Sequence, residues 1–171
     1  MTLSEFLATF GTFEPHLPSG FATGFAVLAG LAWFRFLHKI YPRVGWIVAV
    51  LLASAALVVT DAAESAPGAD DSQIILDEFV AVPFLFLFYV PWRHPHALLS
   101  VVGTLIVFGT LDSLKPFGLQ VIERLPGGFG VVLDDIGAAV LSSAVVWLAY
   151  NFMLELTVKR EVKDEGCDCH R

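Results

Sequence analysis

Leu125-Pro126-Gly127-Gly128-Phe129-Gly130-Val131-Val132-Leu133-Asp134-Asp135-Ile136-Gly137-Ala138-Ala139 leads into an apolar stretch at 136–153, with two carboxylates standing where that stretch begins. Three other acidic motifs hold the same relation to apolar stretches: Asp61 with Glu64, Asp77-Glu78, and Asp112 with Lys115. Carboxylates this close to membrane depth are expensive and mark functional sites. The pattern points to an all-α membrane bundle with a cation-binding, carboxylate-lined site.

Composition agrees. Of 171 residues 56% are hydrophobic and only 16% charged, and the mean hydropathy is +0.72, too apolar for a soluble domain. The expected organisation is one membrane-embedded domain, 1–155, followed by a polar, disordered C-terminal tail, 156–171. The formal charge of -7 includes no basic block suited to nucleic acid. Residues 1–13 lack a positive n-region and a small-residue cleavage site. They read as a short amphipathic helix at the interface.

Apolar segments follow at 21–37, 44–60, 79–92, 97–111 and 136–153, most a little short of the roughly 20 residues that a perpendicular helix needs. The expected architecture is a polytopic helical bundle of about five membrane segments. The third segment is short and carries Pro83 and Pro91, so a re-entrant loop is its alternative. Parity separates the two. Five crossings bring all four acidic motifs to one face, whereas a third segment that turns back sends Asp112 and Asp134 to the face opposite Asp77. Five crossings need one explanation for the acids instead of several. The other face collects Arg35, His38, Lys39, Arg43, Arg93, Lys159, Arg160 and Lys163, so the positive-inside rule puts the acidic face outside.

Asp77 and Glu78 offer hard oxygen ligands at a helix start, where acids also serve as plain caps. Adjacent helix positions diverge by about 100°, so one carboxylate can face a metal while its neighbour meets another helix or a second ion. Asp134-Asp135 repeats the arrangement behind Gly127, Gly128 and Gly130, whose backbone N–H groups can turn toward an anion. An ordinary flexible turn is the bland reading of that run. Asp112 and Lys115 share a helix face if the helix persists to Pro116, and a lysine is a compact charge for a phosphate oxygen. A snorkelling lysine is the bland reading there. Asp61 and Glu64 are third-rank ligands or a solvated helix end. An all-oxygen donor set suits Mg²⁺ and disfavours zinc. Cys167, Cys169 and His170 read as part of the polar tail, and Trp92, His94 and His96 as an interfacial turn. No serine or cysteine nucleophile motif is present.

Three runs together resemble the phosphatidylglycerophosphatase A family: Ile74-Ile75-Leu76-Asp77-Glu78-Phe79, Leu111-Asp112-Ser113-Leu114-Lys115-Pro116-Phe117, and Gly127 through Ala139. Their order and intervals agree with that family over about 11–147, and Asp70-Asp71-Ser72-Gln73 resembles its lead-in. Two positions depart from it. The early glycines are displaced in Pro18-Ser19-Gly20-Phe21-Ala22-Thr23-Gly24, and Gly109 stands where an arginine is common. Both fall where headgroup contacts are expected.

The resemblance implies a Mg²⁺-dependent phosphatase of a bacterial-type inner membrane that converts phosphatidylglycerophosphate, a phospholipid in the bilayer, to phosphatidylglycerol. On that reading Asp77, Glu78, Asp134 and Asp135 hold one or two Mg²⁺ ions. Asp112 is a further ligand or the general base, and Lys115 with the Gly127, Gly128 and Gly130 backbone steadies phosphate oxygens. Asp112, Lys115 and Asp135 form the catalytic set, and an aspartyl-phosphate intermediate stays open. The rivals are another phosphomonoester on the same scaffold, and a cation transporter or channel subunit, which predicts acids at several depths.

Overall fold

The computed structural model describes residues 7, 19–65, 76–90, 92, 97–116 and 118–168, excepting the side chains at 19–23, 64, 158 and 160–168. The N-terminal amphipathic helix (Leu7 apart), Asp70 to Gln73, His94, His96 and the side chains of Cys167, Cys169 and His170 lie outside the described residues. Every regular element described is helical: α1 Ser19–Ile40, α2 Pro42–Glu64, α3 Leu76–Ala81 with a 3₁₀ continuation Val82–Phe86, α4 Ala97–Leu114, α5 Leu119–Ile122 and α6 Gly128–Asp168.

The bundle is built inside out. On α2 the residues facing neighbouring helices are small, Gly45, Ala49, Ala53, Ala56, Thr60 and Ala63, at three- and four-residue intervals. Its large apolar side chains point away: Val58 is 70% exposed, and on α4 Leu98 is 79% exposed. Water would penalise that surface, whereas lipid tails do not distinguish it from themselves. Small residues inside let the backbones approach and make van der Waals packing the cohesive term. Three helices are long and apolar enough to cross a membrane, Pro42–Ala63, Ala97–Leu114 and Gly128–Thr157, fewer than the five segments expected. α1 packs against α2 as a fourth rod of 22 residues.

The third expected segment is not a continuous helix. Pro83 lacks an N–H and clashes with the carbonyl four residues earlier, so α3 stops after six residues and the chain tightens into the 3₁₀ turn. The stretch nevertheless threads the bundle from end to end. Asp77 at its start lies by Asp135 of α6. Trp92 beyond it packs on Phe34 and His38 of α1 with Arg35 over its ring, at the end where α1 turns into α2. Irregular backbone at such depth must be enclosed by protein, and Val80, Ala81, Val82, Leu85 and Phe86 are all at most 1% exposed. The Phe88 N–H donates to Ser143 Oγ of α6 at 2.9 Å. Gly30 of α1 makes room for the break, since a Cβ there would stand 2.8 Å from the Phe79 carbonyl oxygen.

The polar stretch from residue 156, expected to be a disordered tail, continues α6 as helix through Asp168. Glu155 and Lys159 stand at the four-residue spacing that supports an exposed helix. At about 1.5 Å per residue the 41-residue helix runs roughly 60 Å, twice the thickness of a hydrocarbon core, so it projects well past the bundle.

Candidate active site

Four helix ends meet at one end of the bundle, and each brings an acid or closes on one. The C-terminal turn of α2 packs its Thr60 and Asp61 backbone directly on Gly128, the first residue of α6. α3 starts there with Asp77 and Glu78, α4 ends there with Asp112, and α6 delivers Asp134 and Asp135 from its second turn. This is the one-end arrangement preferred over the re-entrant alternative, and it leaves no ladder of acids down a pathway among the described residues.

Asp77, Glu78 and Asp135 each offer a carboxylate oxygen, all within 4.8 Å of one another. Asp77 Oδ1 accepts the Glu78 N–H at 3.0 Å, fixing the short α3 turn. Asp112, at the end of α4, stands close enough to Asp135 for their carboxyl groups to interact. Asp77 and Asp135 are buried, 7% and 8% exposed. At an effective dielectric of about 20, two unit charges at this separation repel by roughly 3 kcal/mol. Three such pairs approach 10 kcal/mol, the scale of a whole domain's stability. A cluster of this kind has to be neutralised, by protons or by a cation.

Asp134 belongs to a different arrangement. One residue earlier on α6, it points away from the cluster and accepts the Lys115 ammonium at 2.6 Å. Lys115 also meets Glu123 Oε1 at 2.7 Å. Burial pulls the Lys115 ammonium down, but its hydrogen bonds to Asp134 and Glu123 outweigh that and hold it above the usual lysine range. The Lys115 backbone is left-handed, with φ 45°. Its N–H closes α4 on the Leu111 carbonyl at 2.8 Å, and Pro116 beyond it disfavours continued right-handed helix. A non-glycine residue pays about 1 kcal/mol for that conformation, a strain that concentrates at functional positions.

The predicted ligands are thus divided between two groups. Asp77, Glu78 and Asp135 converge, while Asp134 lies one step away and is held by Lys115. Glu123 carries no sequence signal, because its contact with Lys115 is set by the left-handed backbone at Lys115 and Gly118. Asp61 is exposed at the end of α2, outside the converging group.

The glycine run has structural reasons of its own. Gly127 enters α6 with a φ of 68°. A Cβ on Gly128 would fall on the Asp61 and Thr60 backbone, and one on Gly130 would stand 2.6 Å from the Leu125 carbonyl oxygen. Gly128 lies about 10 Å along α6 from Asp135.

The donor set fits a hard divalent cation. It is all oxygen, it is anionic, and Asp135 Oδ2 and Asp134 Oδ1 are buried acceptors without a hydrogen-bond partner among the described residues. Buried acceptors left in that state cost free energy until a donor or a cation reaches them.

A bundle with an apolar outer surface and a cluster of carboxylates at one end defines a membrane protein with an acidic site. Residues 5–150 match the family described as Phosphatidylglycerophosphatase A, and the chain belongs to that family; it is a phosphoric monoester hydrolase. Among similar proteins, one from Bacteroides thetaiotaomicron named "Putative phosphatidylinositol-3-phosphatase" is 32% identical over 146 residues, 80% of this chain and 86% of its own length. Two are named Phosphatidylglycerophosphatase A. The Haemophilus influenzae protein is 34% identical over 50% of each chain. The Escherichia coli protein is 29% identical over 46% of this chain and 44% of its own. No solved structure matches the chain.

Proposed function

We propose that this enzyme removes the terminal phosphate of phosphatidylglycerophosphate, giving phosphatidylglycerol and inorganic phosphate, with Mg²⁺ held by Asp77, Glu78 and Asp135. The observation that carries the reading is the convergence of those three carboxylates within 4.8 Å, with the Asp112 carboxyl beside Asp135. A bound Mg²⁺ would polarise the phosphoryl group and lower the pKa of a coordinated water. Asp112, half-buried beside the cluster, takes the proton of the attacking water as its oxygen bonds to phosphorus. The bond from phosphorus to the glycerol oxygen breaks, and that oxygen leaves as the alcohol on taking the proton that Asp112 received. Lys115 offsets charge on the phosphate oxygens, and Asp134 sets its position. The chain works as a multi-pass protein of a bacterial inner membrane.

A second substrate reading has an observation behind it. The relative named for a phosphatidylinositol 3-phosphate activity matches 80% of this chain. Purified protein in detergent, supplied with each lipid in Mg²⁺ or in chelator, separates the readings. Mg²⁺-dependent phosphate release from phosphatidylglycerophosphate, abolished in Asp135→Asn, supports the first; release from the inositol lipid alone would replace it.

A further inference from the structure

Between α2 and α3 lies an apolar groove of about 550 Å³, walled by Leu52, Ala55 and Val59 of α2 and Leu76, Phe79 and Val80 of α3. Leu7 of the N-terminal segment also lines it. The three α3 residues share one helix face by their three- and four-residue spacing, while Asp77 and Glu78, between them in sequence, project elsewhere. One short helix therefore separates the groove from the carboxylates.

We propose that this groove seats one acyl chain of the phospholipid substrate while the phosphate lies among Asp77, Glu78 and Asp135, an inference that rests on the lipid phosphatase reading. Among the described residues the walls carry no polar side chain, which suits a hydrocarbon and nothing that needs hydrogen bonds. From Val59 to Leu52 the groove descends about 10 Å along α2, away from the acidic end and parallel to the helices, the direction a lipid tail takes from its headgroup. In phosphatidylglycerophosphate two glycerol units joined by a phosphodiester separate the acyl chains from the terminal phosphate. That spacer reaches over the start of α3, a rod about 10–12 Å across.

The contribution of such a groove is register. Lipid tails are as apolar as leucine, so moving a chain from bilayer to groove gains little affinity. What it fixes is the depth and rotation of the lipid, hence where the phosphate stands relative to Asp112 and Asp135, and small misplacements there are kinetically costly.

The test compares kcat/KM for dipalmitoyl and dihexanoyl phosphatidylglycerophosphate in the wild type, in Ala55→Trp and in Leu99→Trp. Ala55 is exposed on the wall of the groove, so tryptophan fills it without adding core volume. Leu99, 72% exposed on α4, is the control. Ala55→Trp is expected to lower the long-to-short ratio about tenfold, with Leu99→Trp unchanged; an active Ala55→Trp with the wild-type ratio overturns the groove. Photocrosslinking by phosphatidylglycerol with a diazirine at the end of one acyl chain needs no turnover. Labels at 52–59 and 76–80, competed by unlabelled phosphatidylglycerol and lost in Ala55→Trp, support the groove. Equal labelling of Leu98 and Leu99 overturns it. Wild-type protein that hydrolyses neither lipid but labels at the groove removes the substrate assignment and leaves the chain site standing.

Discussion

Alanine at Gly128 is the smallest change that separates a packing glycine from an anion-binding one. It keeps every backbone N–H, so a glycine serving only to present its amide would tolerate it. The added methyl, however, would fall on the Asp61 amide nitrogen and 2.7 Å from the Thr60 carbonyl carbon. Both are helical backbone, which cannot rotate aside as a side-chain tip can. Relief requires α6 to move off α2 by roughly an ångström, and overpacking of this kind costs about 1–3 kcal/mol. At the first residue of a helix, the propensity advantage of alanine, at most about 1 kcal/mol, does not cancel that. Asp135 rides two turns along the same helix, so its carboxylate shifts relative to Asp77, and a misplacement of this size costs up to ~10²-fold in rate. Thermal unfolding in detergent should show Gly128→Ala melting several degrees lower, with activity down by at least tenfold. Gly130→Ala, whose neighbours are loop carbonyls at Glu123 and Leu125, should be milder on both counts. Wild-type melting and rate in Gly128→Ala would refute the packing argument.

Asp135→Asn removes one charge from the cluster. Without metal it should melt no lower than the wild type, while Mg²⁺, which at a hundred times its Kd would stabilise a binding-competent chain by about 2.7 kcal/mol, should lose that effect along with activity. Lys115→Met leaves Asp134, at 6% side-chain exposure, without its cation; a loss of about 3 kcal/mol on denaturation is expected. Glu123→Gln, by contrast, removes a partner whose side chain is 53% exposed. It should change stability by less than about 1 kcal/mol and lower the KM for phosphate-bearing lipid a few-fold by freeing a donor on Lys115. Gly103→Ala meets nothing within 4 Å on α4 and should raise stability by about 0.5–1 kcal/mol, read as a higher melting temperature.

The class of fold was legible because an excess of apolar residues leaves few architectures open, and the meeting of the acidic helix ends was the arrangement preferred because it needs one explanation for the acids. The third segment was not legible as a broken one. Pro83 announced a break, but whether the chain turned back or continued depended on Gly30 and Ser143, which lie on other helices and carry no signal linking them to it. The converging carboxylates were readable as types at helix ends. That adjacent acids diverge was readable too; which of Asp134 and Asp135 faces the cluster was not, since it depends on where Lys115 stands. The glycine run was legible as special, yet chain statistics cannot tell a glycine that bares an amide from one that admits a neighbouring helix.

Position 115 carries two demands that no single residue type meets. Its left-handed backbone favours glycine, whereas its place between Asp134 and Glu123 calls for a long cation. Lys115→Gly would relax the turn while stranding Asp134, and Lys115→Arg would keep the charge and the strain together. Relaxing the backbone would gain about 1 kcal/mol whereas stranding Asp134 would lose about 3 kcal/mol, so at this one peptide unit the ion pair outweighs the strain and holds the turn in its left-handed form.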